Sequence, residues 1–414
     1  MSNFIFAIEK INIYLLPLAV FFILISTAAT NFFLILTVFI AFVFCIKNNS
    51  FDEIFKKDFF FKICFLIFFL FVIGCTYTIA EPNEALATLK KYTKILYIPF
   101  IYYYLKIFKN EKIVLNFFLF GTTLILILSY LKYFNIISIN NFYEYAKLLS
   151  ISGIDEKIIN TKSTVFQHYI IQGIVLSFYS FLCLFKAHDN NNFILYFLSA
   201  LAFINVIFLN NSRAAYIIIL FLLLLSFYKI ITSKKTRIAI ITLLIVFMAS
   251  NLSYNFKNRI SHISSDLAIM QTDDYNSSVG MRYIWFKIGI HNILNEPIIG
   301  NGTGSFQQST ENYFENNNEN FKIGHGNFIS NNPHSEFISI SSQLGILGLL
   351  SFFIFLYLLL TCPGGIMSVA TSILVIVSSL FNSVFYDNMI GLFLVIIIGL
   401  FYKSKFAEQN IKNK

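Results

Sequence analysis

Apolar segments long enough to cross a lipid bilayer recur along the whole of this 414-residue chain. A membrane-spanning helix needs about 20 mainly apolar residues, and twelve candidate segments occur, several of them shorter than this, with 94–108 a tilted or partial span. Their approximate bounds are 11–29, 31–46, 59–79, 94–108, 112–134, 165–186, 193–210, 214–231, 236–253, 335–361, 366–386 and 388–402. The pattern predicts an all-α polytopic membrane protein with about 12 transmembrane helices.

The composition points to the same class of protein. Hydrophobic residues make up 57% of the chain and charged residues 12%, whereas soluble domains carry about 25% charged residues. This excludes a cytosolic enzyme, a secreted disulfide protein and a disordered chain. The five cysteines lie in or beside apolar segments without metal-ligand spacing, so we expect neither disulfides nor a metal site.

The distribution of charge predicts the orientation of the chain. If both termini are cytoplasmic, the inner segments hold 17 of the 30 basic residues and 7 of the 21 acidic ones. This asymmetry is the one that the positive-inside rule describes, and it accounts for the net charge of +9 without nucleic acid. Lys90, Lys91 and Lys94 are exceptions, because they fall outside. They belong either to an interfacial helix near lipid headgroups or to a site for an anionic substrate.

Two long loops face the outer side in this topology, at 135–164 and 254–333. Loops of such length in a compact protein usually have a function. Within the second loop, the Asn-rich stretch 311–320 is expected to be a solvated excursion, whereas 282–294 has helical periodicity. No soluble domain is evident, so residues 1–414 are predicted to form a single integral membrane domain with 254–333 between its ninth and tenth spans.

Arg213 is an ionisable residue at the start of a long apolar run, directly after Asn211 and Ser212. The positive-inside rule does not favour an arginine at an outer membrane face. The side chain is either an interfacial residue that extends to the headgroups or a ligand of phosphate, since guanidinium presents a planar bidentate fork.

His334 follows Pro333 at the predicted start of a spanning helix. Proline favours the first turn of a helix, which would place the imidazole at the outer end of that span. A histidine there is either a cap or a general base, because unperturbed imidazole titrates near pH 6.5. Glu336 is expected on a different helix face and is a weaker candidate to orient His334 directly.

Arg282 precedes the amphipathic stretch 282–294, and three alternating glycines follow that stretch, at Gly300, Gly302 and Gly304. Such glycines form either a plain turn or a close approach of backbone to ligand. No βαβ context surrounds them, so a nucleotide-binding fold is excluded.

Taken in order, these segments resemble the O-antigen ligase family of bacterial inner-membrane glycosyltransferases. The resemblance rests on S-R-A-A from Ser212, R-Y-I-W from Arg282, P-x-x-G-x-G-x-G-x-F from Pro297, and P-H-S-E from Pro333, over roughly 160–350. The segment that ends in His168 is similar to the family's F-x-H segment.

The resemblance implies a glycosyltransferase-C-like fold, an active site on the periplasmic face and no cofactor or metal. It implies a donor glycan on undecaprenyl diphosphate and an acceptor that is lipid A–core or a growing glycan. His334 would be the catalytic base, and Arg213, Arg282 and His168 would bind substrate. Lys90 and Lys91 lie outside the resemblance and are candidate substrate contacts because of their charge on the outer side. The sequence leaves open a ligase, an O-antigen polymerase, a protein O-oligosaccharyltransferase and a flippase of lipid-linked sugars.

Overall fold

A computed structural model describes residues 12–52, 58–137, 163–230, 278–317 and 329–403 of the chain. Within these ranges every regular element is helical. In chain order the helices are α1 Leu15–Phe21, α2 Thr27–Lys47, α3 Phe59–Tyr77, α4 Pro82–Tyr92, α5 Tyr97–Phe108, α6 Glu111–Tyr133, α7 Tyr169–Asn190, α8 Phe193–Ile204, α9 Arg213–Ile230, α10 Ser278–Asn295, α11 Phe306–Asn317, α12 Glu336–Leu360, α13 Gly365–Phe381 and α14 Asn388–Phe401. The prediction of an all-α fold is confirmed for this part of the chain.

Five of these helices, α2, α3, α6, α7 and α12, are long and apolar enough to cross a membrane. Five shorter apolar helices are also present, at Leu15–Leu24, Phe193–Leu209, Arg213–Ser226, Gly365–Phe381 and Asn388–Phe401. The protein is therefore a multi-pass membrane protein. The ninth predicted segment, 236–253, lies outside the described residues, and the number of twelve spans stays a prediction.

The chain folds into two compact units. Unit 1 comprises Met1–Asn48 and Phe100–Lys257, and unit 2 comprises Asn49–Pro99 and Asn258–Lys414. In unit 1, α7 packs against α8 and α9, while α1 packs against α2 and α6. Each unit thus has its own helix packing, and the single domain over 1–414 stays a prediction.

Unit 2 is organised around α12, which packs against α3, α10 and α13. Its helical conformation breaks at Gly345, where φ is 58° and ψ is −154°. Two backbone carbonyls just before the break accept hydrogen bonds from the loop after α10, from Asn301 N–H to Ser342 at 3.0 Å and from Gly302 N–H to Gln343 at 2.9 Å. The loop therefore satisfies helix carbonyls that the break leaves unpaired.

The predicted outer loop 254–333 contains ordered helical structure. The stretch 282–294 forms part of α10, as its periodicity predicts. The expectation of a solvated excursion over 311–320 is wrong up to residue 317, because α11 continues through Asn317. Phe306 and Tyr313 lie two helical turns apart and are buried with residues of α10. They give α11 one apolar face, which its Asn-rich overall composition does not indicate. Residues 254–277 and 318–328 lie outside the described ranges.

The loop after α10 approaches α3 too closely for any side chain at Gly302. This residue has φ of +89°, and a Cβ atom there would overlap the Thr78 Cα and the Gly74 carbonyl oxygen. We expect Gly302→Ala to destabilise the protein by at least about 3 kcal/mol, because left-handed strain adds to a clash with fixed backbone. The measurement is the thermal unfolding midpoint of the purified protein in detergent.

Gly365 provides the matched control for this substitution. It also has a positive φ, of +66°, but a Cβ atom there would have no neighbour within 4 Å. Gly365→Ala should cost about 1–2 kcal/mol, from backbone strain alone. Equal losses of stability in the two variants would contradict close packing of the Gly302 loop.

Candidate functional site

His334 lies two residues before the first residue of α12, in a backbone conformation that is unusual for a non-glycine residue. Its φ is +53°, and its N–H donates to the Asn332 side-chain oxygen at 2.9 Å. Helix α12 begins at Glu336, with Ser335 as its N-cap. Pro333 and His334 therefore precede the helix instead of forming its first turn, which corrects the sequence-based expectation.

The His334 imidazole packs against the indole of Trp285, with the two ring centroids 5.0 Å apart. Burial and, as the smaller cause, the positive charge of Arg282 together lower the pKa of His334 to about 4. The imidazole is consequently neutral near pH 7, so it can accept a proton.

Arg282 and Trp285 both belong to α10, one helical turn apart, so the same helix presents both side chains to the region of His334. The position of α10 is fixed by a buried apolar cluster of Ile284, Trp285 and Ile288 with Phe306, Tyr313 and Ile338. Ile338 lies four residues after His334 in α12. The structure thus places Arg282 near enough to His334 for their charges to interact, and it adds Trp285, which the sequence patterns did not single out. The sequence feature that could have identified Trp285 is its position three residues after Arg282, which puts the two on the same side of a helix.

The three glycines between α10 and α11 form a packing loop. The Gly302 N–H donates to the Gln343 carbonyl at 2.9 Å, and the Gly304 N–H donates to the Gln343 side-chain oxygen at 2.7 Å. Thr303 N–H donates to the Gly74 carbonyl at 3.1 Å. These donors are used within the protein, so the interpretation of this motif as a turn is favoured over a phosphate cradle.

In unit 1 the structure places Arg213 and His168 at adjoining helix ends. Arg213 is the first residue of α9, and His168 is the N-cap of α7, where its Nδ1 accepts from Ile170 N–H at 3.4 Å. Asn210 links the two ends, because its side-chain amide donates to the Tyr169 carbonyl at 3.0 Å and its side-chain oxygen accepts from Ser212 N–H at 2.7 Å.

The predicted basic group Lys90, Lys91 and Lys94 lies in unit 2, at the end of α4 and just after it. Lys90 is exposed, whereas the Lys91 ammonium lies 3.4 Å from the centroid of the Tyr386 ring. Burial lowers the pKa of Lys91, and the charges of Asp387 and Glu84 oppose this shift. Substrate contacts of Lys90 and Lys91 stay predictions.

Lys94 is a structural residue of this region. It is only 5% exposed, and its ammonium donates to the Asp387 backbone carbonyl at 2.6 Å. Burial raises the pKa of the Asp387 carboxyl to about 6, although the charges of Lys94 and Lys91 act against that shift. Lys94 therefore joins the segment after α4 to the turn before α14.

Glu336 and His334 contact different residues, Phe385 and Trp285 respectively. The Glu336 carboxylate accepts a hydrogen bond from Phe385 N–H at 3.1 Å, and the residue is completely buried. In the described part of the chain, no three His, Cys, Asp or Glu side chains gather as a metal site would require.

Comparison with known proteins identifies one family. The family model described as O-Antigen ligase matches residues 198–353, a segment that contains Arg213, Arg282 and His334 but neither His168 nor the lysines of α4. A search of curated proteins finds no match. The motifs from Ser212 to Glu336 lie within this matched segment, which confirms that this part of the chain resembles the O-antigen ligase family.

Proposed function

We propose that this protein is an O-antigen ligase of the bacterial inner membrane. It transfers a polysaccharide from undecaprenyl diphosphate to lipid A–core at the periplasmic face, without a metal ion. The observation that carries the proposal is the neutral His334 imidazole, held against Trp285 and beside the charge of Arg282, within the segment that matches the family.

The residues of unit 2 supply the chemistry of an inverting displacement. His334 takes the proton from an acceptor hydroxyl, and the oxygen attacks the anomeric carbon of the donor glycan. The bond from that carbon to the diphosphate oxygen breaks, and the leaving diphosphate keeps the electron pair. Arg282 stabilises the charge that develops on this leaving group.

Arg213 is proposed as a further ligand of the donor diphosphate. This role is supported by its place in the matched family segment and by the suitability of guanidinium for phosphate oxygens. His168 is proposed as a substrate contact because it caps the helix end next to the one that Arg213 begins.

The main alternative is an O-antigen polymerase, which would use the same donor but a growing glycan as acceptor. The lipopolysaccharide of a deletion strain distinguishes the two. Loss of attached glycan with polymer accumulating on undecaprenyl diphosphate indicates a ligase, whereas attachment of a single repeat indicates a polymerase. A protein O-oligosaccharyltransferase would leave lipopolysaccharide unchanged and lose protein-bound glycan.

A flippase of lipid-linked sugars is the alternative that is not an enzyme. A transport path needs polar groups distributed across the membrane, whereas Arg282 and His334 lie outside the helices that could span it. Purified protein that transfers glycan in detergent, where no bilayer separates two compartments, would exclude this alternative.

The first prediction for the proposed mechanism concerns His334. Because the neutral imidazole is the base, activity is retained above its pKa and lost below it. We expect kcat to stay constant as pH falls through 6.5 and to decline only near the lowered value of about 4. His334→Gln should bind the lipid-linked donor normally but transfer glycan roughly 10²–10⁴-fold more slowly. Binding and single-turnover transfer are measured on the same preparation.

His291→Gln is the control for His334→Gln, because His291 lies on α10 and its ring interacts with Asn295. It should retain normal transfer. Near-normal transfer by His334→Gln would refute the assignment of His334 as the base.

The second prediction concerns the arginines. Arg282→Ala and Arg213→Ala should each reduce turnover by at least about 10²-fold while the protein still accumulates, since each removes a charge that stabilises the leaving group. Arg282→Lys and Arg213→Lys should recover little of the lost turnover, because lysine lacks the bidentate fork of guanidinium. Lys287→Ala, on α10, serves as the control. Full activity of Arg282→Lys or Arg213→Lys would contradict the proposed contact at that residue.

The third prediction concerns topology. In a cysteine-free background, Asn317→Cys at the end of α11 should react with a membrane-impermeant thiol reagent in intact spheroplasts. Lys412→Cys, near the predicted cytoplasmic C-terminus, should react only after permeabilisation. The reverse pattern would contradict a periplasmic active site.

A further inference from the structure

Glu336 is a buried carboxyl group with incomplete hydrogen bonding. It is 0% exposed and is the first residue of α12. One carboxyl oxygen accepts from Phe385 N–H at 3.1 Å, while the other has no partner within hydrogen-bond geometry, with the Tyr92 hydroxyl as its polar neighbour. Burying a carboxyl group in this way costs free energy. The presence of Glu336 at this position therefore calls for a role other than stabilising the fold.

The backbone next to Glu336 needs support, because His334 adopts a left-handed conformation. Such a conformation in a non-glycine residue costs on the order of 1–3 kcal/mol and persists only where its surroundings hold it. On the N-terminal side, the Asn332 side chain accepts from His334 N–H at 2.9 Å. On the C-terminal side, the Ser335 hydroxyl donates to the Ser379 carbonyl at 3.4 Å, and Glu336 accepts from Phe385. The Ser335 bond is long, so Glu336 provides the stronger connection.

The turn 382–387 between α13 and α14, which supplies the Phe385 N–H, is itself firmly held. Phe385 is fully buried, and its ring contacts Phe352 and Phe355 of α12 at centroid distances of 6.4 and 6.0 Å. The Asp387 N–H donates to the Ser383 carbonyl at 2.8 Å, and the Asp387 carbonyl accepts from Lys94 at 2.6 Å. The turn is thus a fixed support for the carboxylate of Glu336.

We propose that Glu336 is a positioning residue for His334. By fastening the first turn of α12 to the turn 382–387, its carboxylate holds the left-handed backbone at His334 and keeps the imidazole against Trp285. This inference rests on the proposed role of His334 as the base, and it assigns Glu336 no contact with substrate.

The chain contains a direct reporter of this contact, because Trp285 is its only tryptophan. Its side chain is 7% exposed and packs on the His334 ring. Intrinsic fluorescence therefore reports the His334–Trp285 contact independently of transferase activity.

Asp58 provides a matched control in the same unit. It is a buried carboxyl group, 5% exposed, with one oxygen that accepts from Phe60 N–H at 3.0 Å and from the Tyr402 hydroxyl at 2.8 Å, and with the other oxygen unpaired. The Phe60 ring stacks on Phe355, near the other end of α12. Asp58 thus resembles Glu336 in burial and in having one unpaired oxygen, but its hydrogen bonds go to Phe60 and Tyr402 and not to the turn 382–387.

The experiment compares Glu336→Ala, Glu336→Gln and Asp58→Ala in the full-length purified protein. Glu336→Ala should shift the Trp285 emission and reduce kcat about 10²-fold, as a misplaced base does, with little change in the KM for the donor. Glu336→Gln should restore both readouts, because an amide oxygen can accept the Phe385 N–H. Asp58→Ala should lower the unfolding midpoint but leave emission and kcat per folded molecule unchanged.

Several outcomes would overturn the proposal. One is normal kcat and normal emission in Glu336→Ala. Another is a Glu336→Gln variant as impaired as Glu336→Ala. A third is a loss of kcat in Asp58→Ala equal to that in Glu336→Ala. If Glu336→Ala fails to fold, Glu336→Asp takes its place in the experiment, because the shorter side chain cannot reach Phe385. The Trp285 emission of Glu336→Asp should then shift, and unchanged emission would refute the proposal. If His334→Gln transfers glycan normally, the proposed base is wrong, whereas the emission shift still tests positioning separately.

Discussion

The pairing of backbone hydrogen-bonding groups at the break in α12 is the constraint on which the rest of unit 2 depends. A spanning helix in lipid cannot leave carbonyls unpaired, and the conformation at Gly345 interrupts the helix. The loop with Asn301 and Gly302 supplies the missing donors. This loop directly follows α10, so satisfying the backbone of α12 also fixes the helix that carries Arg282 and Trp285.

The same unit contains the groups for proton transfer and for charge stabilisation. Trp285 buries the His334 ring, and burial together with Arg282 keeps the imidazole neutral. A neutral imidazole is the form that a general base requires. The left-handed backbone of His334 and the buried carboxylate of Glu336 each cost stability, and both are explained if the orientation of this ring matters more than the stability lost.

Much of the fold follows from the sequence. Long apolar runs predicted helices, and the structure has helices in those runs wherever it describes them, because an isolated backbone in lipid must satisfy its own hydrogen bonds. The helix at Phe306–Asn317 could not be predicted from an apolar run. Its Asn-rich composition suggested a solvated segment, but Phe306 and Tyr313 give it one apolar face whose partners come from α10.

For the site, the sequence by itself determined the residue types and their order: Arg213, Arg282, three glycines and His334 in one family segment. It could not determine which of them meet, because residues distant along the chain become neighbours only through helix packing. Only the tertiary structure set Trp285 beside His334, turned the glycines toward α12, and buried Glu336 against Phe385. Burial and the nearby charge of Arg282, which exist only after packing, then lowered the pKa of His334.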